Sequence, residues 1–234
     1  VGRLSAGIAH EIGNPIGIVA GYLELLKPDL PVDERVEYLD RAQKEIERIS
    51  AIIHQLLEIS RPSHGGLQTV SVHALLDDMA QVLKVQPFMS QVRFAMALDA
   101  EQEKIVVDPN QLRQVFLNLI INAADAIASK ETGSQGELIV TTENSRWELL
   151  AAESGKTWLN VCFSDNGPGI AEENLPNVFD PFFTTKEPGK GTGLGLSVSF
   201  MIVESVGGRM RVESNTGQGT VMTVSLPVIE ETNG

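Results

Sequence analysis

Apolar residues recur every three or four positions through most of the first sixty residues. This spacing places them on one stripe of a helix, and another element must cover that stripe. The run Lys27–Pro31 separates two such stretches, because its prolines interrupt helices, and the second stretch ends at Arg61 and Pro62. The first stripe comprises Leu4, Ile8, Ile12, Ile16, Val19, Leu23 and Leu26, and the second comprises Leu39, Ala42, Ile46, Ile49, Ile53, Leu56 and Ser60.

Two helices with a short connection predict an antiparallel hairpin. Each stripe is too long for one partner helix to cover well, so a second copy would complete a four-helix bundle. We therefore predict a homodimer in which residues 1–64 form the dimerising unit. The alternative at this point is that the stripes pack on the rest of the same chain.

The pattern changes after a glycine-containing linker at Ser63–Gln68. From Val70 onward, helical and strand-like stretches alternate, which predicts an α+β domain over residues 65–234. The predicted helices lie near 72–84, 110–128 and 194–206, and the predicted strands lie at 91–98, 104–108, 136–143, 158–165, 209–214 and 220–227.

Composition excludes several classes of protein. The chain has 234 residues, 42% of them hydrophobic, and a formal net charge of −13, whereas a nucleic-acid binder needs clustered Lys and Arg. Apolar runs fall short of the roughly 18 residues that span a bilayer, so we expect no membrane contact within this fragment. The single cysteine, Cys162, is typical of a reducing compartment. Because the chain starts without Met inside a helical pattern, we expect a piece of a longer protein.

The stretch AHEIGNPI, residues 9–16, places a histidine on the polar side of the first predicted helix. At ~100° per residue, His10 lies about 180° from the centre of the apolar stripe, and Asn14 follows one turn later on the same face. Glu11 is adjacent, and Pro15 predicts a local bend. The alternative is an ordinary exposed histidine. The glycines near this face leave a low surface that another domain could approach: Gly13, Gly17 and Gly21.

A second set of polar side chains lies on the long helix predicted near 110–128. Asn118, Asn122 and Asp125 share one narrow face by the helical period, while apolar neighbours such as Ala126 point elsewhere. Polar side chains on a largely apolar helix need partners or solvent. The two interpretations are a helix at the surface and a polar wall of a ligand site, where an Asn oxygen is an acceptable ligand for Mg²⁺.

Two glycine-rich segments follow the predicted strand at 158–165. In SDNGPGI, residues 164–170, Asp165 can accept a hydrogen bond from an amino group, and Gly167 and Gly169 permit close backbone approach. In VFDPFFTTKEPGKGTGLGLSVSF, alternating glycines precede a helix, whose N-terminal N–H groups favour phosphate. The spacing does not match a Walker loop. It suits a mobile lid on which Lys186 can meet phosphates.

Together these segments resemble the cytoplasmic transmitter region of bacterial sensor histidine kinases of two-component signalling. The H-box form is most similar to that of kinases of the nitrogen-regulation type. The implied fold is an α-helical hairpin forming a dimeric four-helix bundle, followed by an α+β two-layer sandwich of the GHKL ATPase type. Six segments occur in the family's order: AHEIGNPI as the H-box, NLIINAADAI as the N-box, SDNGPGI as the first glycine box, VFDPFFTTK as the phenylalanine box, GKGTGLGLSV as the second glycine box and TGQGT as the last short one.

The resemblance also implies roles for individual residues. His10 would accept the γ-phosphoryl group of ATP, and Glu11 would take or orient the proton on the other side of the ring. Asn122 would hold Mg²⁺. Asp165 would bind the adenine amino group, and Thr220 would lie near the same base. The remaining implied nucleotide-binding residues are Asn118, Asp125, Gly167, Gly169, Ile170, Phe179, Lys186, Gly191, Thr192, Gly193, Leu194, Gly195 and Leu196.

By the same resemblance, the phosphoryl group passes to an aspartate of a response-regulator receiver domain in the cytoplasm, with a membrane tether of the parent protein left open. Asn14 stands where many members orient a water molecule, so we expect phosphatase activity as well. Gly13 departs from the basic residue that many members carry there. Two alternatives remain: a non-catalytic nucleotide-binding dimer scaffold, and an ATPase of the same superfamily.

Overall fold

The computed structural model describes residues 2–27, 30–60, 66–130, 135–146, 156–186 and 191–229. The chain divides into two compact units. The hairpin unit comprises Val1–Pro62 and Phe179–Ser197, and the sheet unit comprises Ser63–Val178 and Val198–Gly234. Among the described residues, no helix combines the length and apolar character needed to cross a bilayer.

The hairpin unit contains the two helices that the apolar stripes predict. Helix α1 spans Gly2–Leu25 with Pro15 inside it, and helix α2 spans Val32–Ser60. Tyr22 near the end of α1 stacks on Tyr38 near the start of α2, with ring centroids 5.9 Å apart. The ends joined by the connection therefore lie side by side, and the predicted antiparallel hairpin is confirmed.

The sheet unit is an α+β arrangement, as predicted. Its larger sheet has the strand order β2-β4-β5-β7-β6, in which β2 and β4 are parallel and the other neighbours are antiparallel. Helix α5 begins in the Phe179–Ser197 segment and continues into this unit. The elements are β1 (Gln68–Ser71), α3 (Val72–Leu83), β2 (Val92–Leu98), β3 (Lys104–Val107), α4 (Pro109–Ala128), β4 (Gly136–Arg146), β5 (Thr157–Asp165), α5 (Gly195–Ser205), β6 (Arg209–Asn215) and β7 (Gly219–Pro227).

Strand β1 is the element that the sequence did not predict. It pairs with β3 in a separate two-stranded antiparallel sheet, where Val70 lies opposite Ile105 and both side chains are buried. Its first residue, Gln68, falls in the predicted linker. Four residues with one buried side chain show too little alternation to distinguish a strand from a loop.

The core of the sheet unit forms between α4 and the middle of the sheet. Phe116 of α4 and Phe163 of β5 are almost completely buried, and their ring centroids are 5.4 Å apart. The N-terminus of α4 is capped by Asp108, whose carboxylate accepts a hydrogen bond from the N–H of Asn110 at 2.8 Å. Capping and this aromatic contact fix α4 across β4 and β5, which positions its polar face.

Replacing Phe163 by Ala should lower the free energy of unfolding of the sheet unit by about 3–5 kcal/mol, because it removes a buried ring and leaves a cavity beneath α4. Urea unfolding followed by tryptophan fluorescence measures this change. Val85→Ala is the control, since Val85 is 79% exposed and its truncation should change stability by less than about 0.5 kcal/mol. Equal effects of the two substitutions would contradict this placement of the core.

Candidate functional site

The polar face of α4 forms one side of the candidate site in the sheet unit. Asn118 donates a hydrogen bond from Nδ2 to the hydroxyl of Ser199 on α5 at 3.2 Å. Asn122, one turn later, is half-buried, and Asp125 is exposed. We expected Ala126 to point away from this face, and the structure shows that it does not. A side chain at Gly167 would lie only 3.1 Å from the Ala126 Cβ, so the last turns of α4 face the first glycine-rich turn.

Asp165 ends β5 at the centre of the site. It lies opposite Thr220 of β7, and its carboxylate accepts hydrogen bonds from the backbone N–H groups of Gly167, at 2.8 Å, and of Thr220. Burial raises the pKa of Asp165, while these two N–H groups and the positive charge of Lys130 act in the opposite direction. The structure therefore brings Asp165, Gly167 and Thr220 together as a half-buried acceptor with a fixed orientation.

Three glycines let backbone segments meet at this acceptor. Gly169 has a φ of +74°, and a side chain there would collide with the carbonyl oxygen of Asn215. Gly219 has a φ of +97°, and a side chain there would collide with the carbonyl oxygen of Asp165. At Gly167, a Cβ would lie 2.8 Å from Asp165 Oδ1. The close approach of β5, β7 and the glycine turn thus depends on residues without side chains.

A serine on β6 completes this cluster. The hydroxyl of Ser214 accepts a hydrogen bond from the N–H of Ile170 at 2.8 Å and donates one to the carbonyl oxygen of Gly219 at 2.7 Å. Its 3.0 Å contact with the Thr220 hydroxyl must then be donated by Thr220, since the single Ser214 proton is already used. Thr220 therefore presents its hydroxyl oxygen to a ligand as an acceptor.

The predicted lid residues lie in the Phe179–Ser197 segment of the hairpin unit. Phe182 has a φ of +69°, unusual for a residue with a side chain, and its N–H donates to the carbonyl oxygen of Gly193 at 2.9 Å. Gly193 has a φ of +65°, and its Cα lies too close to the Phe182 backbone for a Cβ. Leu194 is buried, and the other described residues of this segment that are predicted to bind the nucleotide are half-buried: Phe179, Lys186, Gly191, Thr192, Gly195 and Leu196. Residues 187–190 lie outside the described part of the chain.

His10 and Glu11 belong to α1 by their backbone, but their side chains lie outside the part of the chain that the structure describes. Asn14 is exposed. A side chain at Gly13 or Gly17 would meet nothing within 4 Å, so the low surface predicted along this side of α1 is present beyond His10.

The oxygen atoms that the sheet unit offers suit a nucleotide and one hard cation. Asp165 offers a carboxylate oxygen and Thr220 a hydroxyl oxygen to a base, in a turn where glycines leave room. Asn122 is the amide that could contact a cation. Among the described residues, no group of three or more His, Cys, Asp or Glu side chains could hold a metal ion. A cation here would rely on Asn122 together with oxygens of a bound phosphate, as Mg²⁺ commonly does.

Sequence reasoning missed Lys130, Asn166, Ser214 and Gly219, which surround Asp165. Lys130 follows α4 and donates from Nζ to the carbonyl oxygen of Asn166 at 2.8 Å. No periodicity marks Lys130 or Ser214, because their partners are distant in sequence. Gly219 was noted only as part of the segment TGQGT.

Asp165→Asn should raise the free energy of unfolding at about pH 7, because an ionised Asp165 is penalised by burial and the amide is not. In wild type the folded-state pKa of Asp165 is raised, so the folded chain takes up its proton first as the pH falls. The gain of the variant should shrink as the pH falls through that folded-state pKa and vanish below the unperturbed value of 3.8. Urea unfolding over this pH range measures it.

The exposed carboxylate of Asp77 supplies the control. Asp77→Asn should change the free energy of unfolding at about pH 7 by less than about 0.5 kcal/mol. A destabilised Asp165→Asn variant at neutral pH would show that hydrogen bonds to the charged carboxylate outweigh its burial.

Two family models match the chain. Residues 1–65 match the His Kinase A (phospho-acceptor) domain, and residues 107–230 match the histidine kinase-, DNA gyrase B-, and HSP90-like ATPase. The second match covers more than half of the chain and includes α4, Asp165 and Thr220. The first includes His10, Glu11 and Asn14.

Individual relatives agree with these matches. The chain is 36% identical over 233 residues to the signal transduction histidine-protein kinase AtoS of Escherichia coli, covering 100% of this chain and 36% of that protein. It is 35% identical over 230 residues to the sensor histidine kinase ZraS of Salmonella typhimurium, covering 98% of this chain and 46% of that protein. The chain thus spans less than half the length of either relative.

A solved structure has a similar fold. The crystal structure of histidine kinase ThkA in complex with response regulator protein TrrA matches with a TM-score of 0.70 and 27% sequence identity. The match covers 99% of this chain and 63% of that one.

Proposed function

The chain belongs to the two-component sensor histidine kinases, and we propose from this membership that it transfers the γ-phosphoryl group of ATP to His10 and then to an aspartate of a response-regulator receiver domain. The observation that carries the proposal is the pairing, in one chain, of a phospho-acceptor hairpin with a sheet unit that holds Asp165 in a glycine-walled turn. A fixed, half-buried acceptor of this kind suits the amino group of adenine.

Asp165 accepts a hydrogen bond from the adenine amino group, and the Thr220 hydroxyl oxygen accepts from the same side of the base or from a bridging water. Gly167, Gly169 and Ile170 line the turn against the base. The face of α4 with Asn118 and Asp125 borders the site. Asn122 is the residue that would hold Mg²⁺, which supplies charge neutralisation for the phosphates. The nucleotide contacts of Phe179, Lys186 and Gly191–Leu196 are predicted from the sequence resemblance alone.

In the transfer step, a nitrogen of the His10 imidazole attacks the γ-phosphorus of ATP. A P–N bond forms while the bond from that phosphorus to the β,γ-bridging oxygen breaks, and ADP leaves with the electron pair. Glu11 accepts or orients the proton on the other ring nitrogen. The phosphoryl group then moves from His10 to an aspartate carboxylate, which restores the imidazole.

The exposure of the hairpin supports a dimer. Four stripe residues remain about half exposed in the single chain, with exposed fractions of 52% for Ile16, 55% for Leu23, 49% for Leu39 and 51% for Ile46. Large aliphatic side chains arranged in two stripes are stabilised when a second hairpin covers them. A homodimeric four-helix bundle buries them without any other partner.

The response regulator is the second proposed partner. The ThkA structure contains the regulator TrrA, and this chain matches ThkA along 99% of its own length. A cytoplasmic location belongs to the same proposal, because ATP and receiver domains meet there. The proposal also includes the absence of membrane contact within residues 1–234.

Incubation with γ-labelled ATP and Mg²⁺ should label the chain with a phosphoryl group that is labile in acid and stable in alkali, as a phosphoramidate is. His10→Gln should abolish the label, because it removes the imidazole proposed as the acceptor. His54→Gln, which removes a histidine from α2, should retain the label and is the matched control. Label on His10→Gln would identify another acceptor.

The same experiment separates the alternatives. Bound ATP without label on the wild-type chain would favour a non-catalytic scaffold. ATP hydrolysis without label would favour an ATPase of the same superfamily.

Asn14→Ala should slow dephosphorylation of a receiver domain that the labelled chain has phosphorylated by about tenfold or more, because the amide no longer orients the attacking water. Autophosphorylation of His10 should persist. The measurement is the decay of labelled receiver after ATP is removed. Unchanged decay would refute a phosphatase role for Asn14.

A further inference from the structure

Lys130 lies at the carboxyl end of α4, one residue beyond the helix cap at Ser129. Its Nζ donates a hydrogen bond to the carbonyl oxygen of Asn166 at 2.8 Å. That carbonyl belongs to the peptide unit that joins Asn166 to Gly167, and the N–H of the same unit donates to Asp165 Oδ1 at 2.8 Å. A single peptide plane therefore connects the Lys130 ammonium to the Asp165 carboxylate.

We propose that Lys130 is a positioning residue for adenine recognition, which acts through the Asn166–Gly167 peptide on the orientation and charge of Asp165. This inference rests on the function proposed above. Lys130 touches neither base nor phosphate in this role, and its effect is confined to the carboxylate that reads the adenine amino group.

The geometry of the peptide explains how the orientation is set. In a planar trans peptide the C=O and N–H groups point in opposite directions, so holding the oxygen towards Lys130 directs the N–H towards Asp165. A hydrogen bond from an ammonium group also polarises the peptide and strengthens the bond that its N–H donates. Lys130 thereby fixes the rotamer of Asp165 from the opposite side of the turn.

The other hydrogen bonds of Asn166 do not orient the peptide between Asn166 and Gly167. Its side chain accepts from the N–H of Glu137 at 2.8 Å and donates to the carbonyl oxygen of Gln135 at 3.0 Å. Its own N–H donates to the carbonyl oxygen of Glu137 at 3.1 Å. These bonds hold the residue against the start of β4, but none involves the peptide between Asn166 and Gly167. Of the hydrogen bonds that Asn166 makes within the described chain, only the one from Lys130 reaches that peptide.

Charge adds a second effect. Burial raises the pKa of Asp165, and the positive charge of Lys130 lowers it. Among the charged groups on neighbouring elements, Asp125 on α4 is exposed, and Glu137 on β4 pairs with Arg93 at 3.3 Å. The facing residue on β7 is the uncharged Thr220. Without Lys130, the pKa of Asp165 would be higher still, and the protonated carboxyl group is a weaker acceptor than the carboxylate.

The test measures the affinity of the purified chain for Mg·ADP and Mg·IDP by calorimetry, since the hypoxanthine of IDP lacks the amino group that Asp165 reads. Lys130→Met should weaken ADP binding about tenfold at about pH 7, equivalent to about 1.4 kcal/mol. The loss should grow as the pH is lowered, because Asp165 is then protonated more readily. IDP binding should change little, so the preference for ADP over IDP should fall.

Three further variants make the result specific. Lys130→Arg should bind ADP within about threefold of wild type, because a guanidinium keeps both the donor and the charge. Lys84→Met removes an exposed lysine from the same unit and should leave the preference unchanged. If Lys130→Met has a lowered unfolding temperature, Lys130→Leu, which also lacks the donor and the charge, replaces it. ADP binding by Lys130→Leu as weak as that expected for Lys130→Met, with Lys130→Arg like wild type, supports the inference.

The outcomes separate this inference from the proposed function. Wild-type ADP affinity in Lys130→Met or Lys130→Leu, or an equal loss for ADP and IDP, would overturn the role of Lys130. Failure of the wild-type chain to bind ADP, or undiminished binding by Asp165→Asn, would instead overturn the proposed nucleotide site.

Discussion

Burial of the Asp165 carboxylate at the end of β5 is the constraint around which the sheet unit is organised. A carboxylate in a half-buried turn is costly unless donors and opposite charge surround it. Here, the N–H groups of Gly167 and Thr220 donate to it, and Lys130 supplies the charge. Each of these contacts requires a different segment to reach the same point, so the site depends on the packing of the whole unit.

The glycines around Asp165 are needed for the close approach of these segments rather than for flexibility. Gly219 brings β7 against the carbonyl oxygen of Asp165, and Gly169 brings the turn against Asn215. A side chain at Gly219 would separate the strands that carry Thr220 and Asp165, and one at Gly169 would separate the turn from the end of β6. The glycines of α1 are different, because a side chain at Gly13 or Gly17 would meet only open space. These glycines lower the stability of α1, and no close packing at Gly13 or Gly17 within the described chain compensates for that loss.

Local periodicity was enough to predict most of the fold. The apolar stripes predicted α1 and α2, and alternating runs predicted β5 and β7, because burial against one neighbouring layer leaves a repeating signal. Helical periodicity also grouped Asn118 and Asn122 on one face, and their place in a ligand site stays a prediction, as does that of Asp165. Periodicity failed for β1, which is too short to show a repeat, and for Ala126, which lies close to the edge of the polar face.

Lys130 and Ser214 could not have been found in this way. Lys130 acts on Asn166, 36 residues away, and Ser214 acts on Ile170, 44 residues away. Such contacts exist only after the sheet has assembled, and a lysine following a helix or a serine in a strand is ordinary in isolation. Tertiary geometry, rather than composition, made these residues part of the candidate site.

Helix α4 links the two ends of the proposed nucleotide site. Asn122 would meet the cation and phosphates, and Lys130, two turns later, orients the peptide that holds Asp165. Because Phe116 locks the same helix against Phe163 of β5, a shift of α4 would move both ends together. Base recognition and phosphate binding are then not independent, and a substitution in the core beneath α4 should alter affinity for the nucleotide as a whole rather than for either part.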